Sequence, residues 1–181
     1  IHQGTPLAEQ VRSGRQPSPN DELAAEMYEM LLDSLSEAGY EQYEISNFSR
    51  PGFTSRHNLK YWTLDRVIGF GVSAHSFDGM QRFANERDTS KYVELICESG
   101  SAEDMREDVN LASEFIFLGL RLEDGSDLKR FAQLFGFDLN DRYAAEIDGM
   151  IETGLVEMAV GKLRLTRKGK LFSNEVFSVF V

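Results

Sequence analysis

The sequence predicts an α/β chain that passes, near residue 100, into a small α+β domain of winged-helix-like type, and three observations predict it. Residues 20–38 place apolar side chains at helical spacing and stop at Gly39, after which the period shortens to that of a strand. Val67-Ile68-Gly69-Phe70-Gly71-Val72 is a continuous run of apolar and glycine residues, suited to a buried strand of a parallel sheet covered on both faces. Beyond residue 110, helical patterns are followed by two alternating runs on either side of Val160-Gly161, the order of helices and hairpin wing.

Taken in order, Ile1-His2-Gln3-Gly4-Thr5-Pro6-Leu7 reads as a strand end running into a turn, with no initiator methionine, as in a sequence entered midway through a domain. Residues 7–19 carry Gly14, Pro17 and Pro19 and predict a short helix or turn, then an exposed loop. Asn20 or Asp21 caps a helix to about Ala38, and Leu23, Met27, Met30, Leu31, Ser34 and Leu35 form one face, expected to be core. Tyr40, Tyr43 and Ile45 mark a short strand, making an αβ unit. Residues 47–55, with Pro51 and Gly52, predict a loop from which His57 emerges. Polar residues 78–90 give no clear signal, a short helix follows near 91–98, and acidic 101–108 is expected to cap the next helix. Helices are then predicted over 110–122, over 127–135 to Gly136 and over 140–153 to Gly154. A hairpin spans 155–165, and Thr166 caps a last helix carrying Leu171, Phe172, Val176 and Phe177.

Composition narrows the function classes. The 181 residues are 41% hydrophobic and 27% charged, ordinary for a soluble globular protein. A net charge of −11 opposes long-range attraction to phosphate backbones and anionic membranes. Lys162, Arg164, Arg167, Lys168 and Lys170 make the wing locally basic, yet the helix that would enter a groove carries Asp141, Glu146, Asp148 and Glu152, so nucleic acid is not expected. No apolar run approaches the roughly 20 residues of a membrane span. No signal pattern is visible and Cys97 is the lone cysteine, so a cytoplasmic location is the expectation.

The chemistry concentrates in residues 43–77, which hold His57, His75 and the only tryptophan, Trp62. A neutral imidazole is a good axial ligand for haem iron, and flat side chains such as Tyr61 and Trp62 beside it could cover a macrocycle. The ordinary alternative is a hydrogen-bonded loop histidine with core aromatics. Ser73, His75 and Ser76 fall at the carboxyl end of the expected second strand, where ligands gather in parallel sheets, although a histidine there often only satisfies backbone groups. Glu44 and Asn47 could bind a polar ligand with little specificity. No phosphate loop, paired zinc-ligand spacing or nucleophile elbow is present.

Tyr43-Glu44-Ile45-Ser46-Asn47-Phe48, Ser55-Arg56-His57-Asn58-Leu59-Lys60-Tyr61-Trp62 and Gly69-Phe70-Gly71-Val72-Ser73-Ala74-His75-Ser76 together resemble the radical S-adenosylmethionine proteins related to oxygen-independent coproporphyrinogen III oxidase, the HemN/HemW group. Gln3-Gly4-Thr5-Pro6-Leu7, Leu118-Gly119-Leu120-Arg121 and Leu165-Thr166-Arg167-Lys168-Gly169 resemble further stretches of that family, so the likeness covers most of the chain. It implies the end of an incomplete radical-SAM (β/α) barrel over 1–100, followed by the family's C-terminal domain over 101–181. His57-Asn58-Leu59-Lys60-Tyr61-Trp62 resembles the pattern associated with haem binding in the chaperone branch; the oxidases carry an Asn-Phe-Gln-Gly-Tyr-like stretch there.

The resemblance implies haem binding and delivery to acceptor proteins, with oxidative decarboxylation of coproporphyrinogen III as the alternative and a winged-helix DNA binder as a third class. Its implied ligand residues are His57, Asn58, Tyr61, Trp62, Gly69, Gly71, Ser73 and His75, with His57 on the haem iron. In the family a three-cysteine motif binds a [4Fe-4S] cluster that reduces S-adenosylmethionine. Cys97 does not match that motif, so both cofactors belong to the intact parent, and these residues alone are expected to be inactive.

Overall fold

A computed structural model describes residues 3–181, so the strand end expected at Ile1-His2 lies outside the described residues. The chain divides into two compact units, residues 1–40 and 41–181. In the first, Thr5 accepts the Ala8 amide and Pro6 opens helix α1, Pro6–Arg12. Asn20 Oδ1 accepts the Leu23 amide at 2.9 Å to start α2, Asp21–Glu37, and Gly39 at φ 78° ends it.

The expected core stripe of α2 is overturned. Leu23, Met27, Met30 and Leu31 are 46–68% exposed and no α2 residue is buried. Helical spacing records an apolar face without recording what covers it. The other helix described in this unit, α1, is seven residues long and likewise has no buried residue.

The second unit begins with an antiparallel hairpin, β1 (Glu41–Glu44) and β2 (Asn47–Ser49), so part of the expected loop is a strand. Helix α3, Arg56–Trp62, follows, capped by Ser55; His57 therefore stands in the first turn of a helix and not on a loop. Strands β3 (His75–Phe77), β4 (Gln81–Asn85) and β5 (Glu103–Asp108) form an antiparallel sheet, with α4, Thr89–Ser99, between the last two. β4 and β5 arise in the two polar stretches that gave no strand signal: β4 carries only Phe83 and Ala84 as apolar residues, and β5 is exposed along its whole length.

Residues 67–72 are not a buried strand, and every strand pair described is antiparallel. Val67 makes a single antiparallel bridge with Phe77, while Ile68 is 55% and Phe70 90% exposed. Two glycines and left-handed backbone at Leu64, Gly71 and Ser73 make this segment a folded loop.

The C-terminal part has the predicted order of helices and wing. Helix α5 (Leu111–Gly119) leads through β6 (Ser126–Asp127) to α6 (Leu128–Phe135) and α7 (Asn140–Glu152), then to β7 (Val156–Ala159) and β8 (Lys162–Leu165). The sheet order is β6-β8-β7, and the two-residue turn Val160-Gly161 has φ of 51° and 76°. The final helix is split into α8 (Arg167–Leu171) and α9 (Ser173–Ser178) at Phe172. Ile116, Leu120, Phe131, Leu139, Ile147, Val156, Leu163, Val176 and Phe180 form a continuous buried core. No helix among the described residues is long and apolar enough to cross a membrane.

The wing's basic residues are largely occupied within the chain. Lys162 pairs with Asp124, and Arg164 Nε donates to Glu157 at 2.7 Å. Lys168 Nζ donates to the Thr153 carbonyl at 2.8 Å, and Lys170 to Gln42 Oε1 at 2.7 Å and to Glu123.

Gly169 shows how tightly the wing is closed. Thr166 Oγ1 accepts its amide at 2.9 Å, and a Cβ on Gly169 would overlap the Leu155 carbonyl oxygen. Gly169→Ala should cost about 1–3 kcal/mol, the usual range for forcing atoms into a filled site, read as a lowered urea midpoint. An unchanged midpoint would show that α8 can shift freely away from Leu155.

Candidate functional site

Helix α3 carries four of the expected ligand residues on two adjoining faces. His57 and Tyr61, four apart, meet edge to face with ring centroids 5.2 Å apart. His57 is exposed, and no hydrogen bond engages its ring among the described residues. Asn58 and Trp62 lie on the inner side, where Asn58 Nδ2 donates to the Tyr43 hydroxyl of β1 at 3.3 Å.

Trp62 is a wall shared by two clefts. The larger, about 470 Å³, lies between α3 and α5 and is lined by Asn58, Tyr61, Trp62, Phe117 and Leu118, with the Arg82–Glu114 pair at its edge. The smaller, about 210 Å³, lies on the side of Leu64, Phe115, Gly119 and Leu122. Arg82 is held bidentately by Glu114 at 2.9 and 2.6 Å, which raises the guanidinium pKa above its usual value and ties β4 to α5.

Gly69, Gly71, Ser73 and His75 are gathered elsewhere, and none lines either cleft. The Gly69 amide donates to Ser76 Oγ at 3.0 Å, Asn85 Nδ2 to the Gly71 carbonyl at 2.9 Å, and the Ser73 amide to the Glu86 carbonyl at 2.9 Å. His75 is exposed at the start of β3. The loop is thus fixed by side chains of β3 and β4 and by the Glu86 carbonyl, and it presents Phe70 outward.

The carboxylate of Glu44, read as able to bind a polar ligand with little specificity, is turned into the protein. It is 1% exposed and wrapped by its own hairpin, with Oε1 accepting the Ser46 amide at 2.9 Å and the Asn47 side chain. Three buried polar atoms lack a hydrogen-bond partner among the described residues: Glu44 Oε2, Trp62 Nε1 and Arg121 Nε. Arg121 was visible in the sequence only as the end of Leu118-Gly119-Leu120-Arg121. Arg82 and Glu114 are joined by no periodicity, and nothing in the sequence pairs them.

No group of three or more metal-binding side chains occurs among the described residues, and Cys97 is an exposed, free thiol. The chemistry available near α3 is therefore that of an open imidazole beside an apolar, aromatic cleft.

Residues 109–172 match the family model described as the HemN C-terminal domain. The heme chaperone HemW of Bacillus subtilis is 36% identical over 174 residues, which cover 94% of this chain and 46% of that protein. The heme chaperone HemW of Mycobacterium tuberculosis is 33% identical over 180 residues, covering 97% and 44%. The chain thus spans less than half the length of these relatives. The solved structure of coproporphyrinogen III oxidase (HemN) from Escherichia coli, a radical SAM enzyme, superimposes with a TM-score of 0.72 over 90% of this chain and 42% of that one. At 18% identity that likeness establishes the fold.

The Glu86 side chain holds the turn that leads into α4. A hydrogen bond from Lys91, with the Asp88 and Arg87 amides, holds the Glu86 carboxyl down at about 2 against an ordinary 4.5. A depressed pKa adds stability that is complete above about pH 4.5 and is lost as pH falls through about 2. Glu86→Gln should therefore lower the urea midpoint at neutral pH, with the gap to wild type closing over that window. A gap independent of pH would assign the loss to packing.

Proposed function

The chain belongs to the HemN/HemW family, and from that premise we propose that the intact protein binds haem through helix α3 and delivers it to an acceptor protein. The observation that carries the reading is His57, an exposed imidazole whose ring packs against Tyr61, itself a lining residue of an aromatic-walled cleft. Imidazole nitrogen is a suitable axial donor to haem iron. Tyr61, Trp62, Phe117 and Leu118 offer flat or apolar contact to a macrocycle, and Asn58 anchors the helix to β1. An exposed ligand suits cargo that must leave again, since a fully enclosed one would hold it. The heme chaperones of Bacillus subtilis and Mycobacterium tuberculosis, similar over nearly all of this chain, support the same reading.

Gly69, Gly71, Ser73 and His75 form a second group in this proposal, a fixed loop that would meet the porphyrin or a cofactor of the intact protein. S-adenosylmethionine and a [4Fe-4S] cluster belong to the intact radical-SAM parent in this reading. The donors of this chain do not fit a cluster, since its one thiol is exposed and, among the described residues, stands in no group of metal-binding side chains. We assign residues 1–100 to the closing part of the barrel and 101–181 to the HemN-type C-terminal domain, a division supported by the family match over 109–172. The intrachain partners of the wing cations weigh against the winged-helix DNA-binding alternative. The oxidase alternative draws on the fold it shares with coproporphyrinogen III oxidase.

In the intact protein, His57→Ala should abolish the Soret shift seen on adding haem while leaving the far-ultraviolet spectrum unchanged, because an exposed residue contributes little to packing. Equal spectra and affinities would remove His57 as the ligand. Anaerobic conversion of coproporphyrinogen III to protoporphyrinogen IX by the intact protein would favour the oxidase.

A further inference from the structure

We infer that Arg121 is the positioning residue of helix α3, setting the place of Trp62 and through it the shape of both clefts, without touching the ligand. The inference rests on the haem reading for its functional consequence and on geometry alone for its structural one. Arg121 Cζ lies 4.4 Å from the centroid of the Trp62 ring and 5.6 Å from that of Phe177 on α9. Phe177 in turn meets Phe117 edge to face at 5.4 Å. One guanidinium therefore contacts both the last residue of the ligand helix and a ring of the C-terminal core.

The backbone of the same residue is fixed from a third side. The Arg121 carbonyl accepts the Ile45 amide at 3.0 Å, and the Glu123 amide donates to the Tyr43 carbonyl at 3.1 Å. This antiparallel bridge between Glu44 and Leu122 brings in the hairpin whose Tyr43 also holds Asn58. The two anchors of α3, Tyr43 on Asn58 and Arg121 on Trp62, are thus parts of one joint.

The burial of Arg121 Nε without a partner fits a group placed for its faces. A planar, weakly hydrated guanidinium can lie against aromatic rings where an ammonium, a compact and strongly hydrated charge, cannot. Helix α3 is only seven residues long and has no buried residue, so it cannot hold its own position. A change at Arg121 would let Trp62 swing and would merge or close the two clefts it separates.

The test uses Trp62, the only tryptophan of the 181 residues, as its reporter. Arg121→Lys keeps the charge and loses the plane, and Arg121→Met keeps the length and loses the charge. Both should leave the far-ultraviolet spectrum native, move Trp62 emission to longer wavelength and increase its quenching by acrylamide. Haem affinity in the intact protein should fall roughly thirtyfold, the scale of one desolvated cation–π contact. A merely structural arginine would lower the urea midpoint without altering native-state emission or quenching, and that result overturns the inference. If both variants fail to fold, wild type decides: emission as red and as freely quenched as that of an unfolded chain overturns it, and protected emission supports it. Failure of wild type to bind haem would defeat the haem reading and leave the position of Trp62 to be judged on fluorescence.

Discussion

Burial of helix α5 from two sides is the constraint on which the second unit depends. Ile116 and Leu120 face the C-terminal core, while Phe117 and Leu118 form the floor of the cleft under α3. Gly119 lies so close to Ser126 that a side chain there would overlap its hydroxyl, and that hydroxyl donates to the Ile116 carbonyl at 3.0 Å. A helix with apolar residues all round has no solvent face, so both neighbours must be present for it to be stable. Helix α3 and the C-terminal core therefore both depend on one element's composition.

The C-terminal architecture was legible because its signals are local. Asp127, Asn110 and Thr166 cap helices, Gly136 and Gly154 end them, and Val160-Gly161 turns the hairpin, each within a few residues of the feature it specifies. The middle of the chain was misread where the signal depends on distant partners. Val67–Val72 has the composition of a buried strand, but its two glycines and the hydrogen bonds offered by Ser76, Asn85 and the Glu86 backbone make a loop instead. β5 is exposed at every residue and paired along one edge, so alternation of apolar residues could not reveal it.

The candidate site was half legible for the same reason. His57, Asn58, Tyr61 and Trp62 are contiguous enough to be recognised together, and the helix sorts them into two faces. Arg82, Glu114 and Arg121 act across separations that no period encodes. The acidic balance of the whole chain was also a poor guide to the wing, whose cations are set by individual neighbours: Asp124, Glu157, Glu123 and a backbone carbonyl.

The tip of the wing leaves room for improvement that the rest of the domain does not use. Val160 is fully exposed and holds a left-handed backbone at φ 51°, a conformation that a β-branched residue adopts only at a cost. Its neighbour Gly161 is the residue such turns favour, and asparagine is the usual companion before it. Sequence optimality in this domain is thus uneven: interior positions are pinned by their neighbours, whereas the hairpin apex retains a conformational debt that a single asparagine would remove.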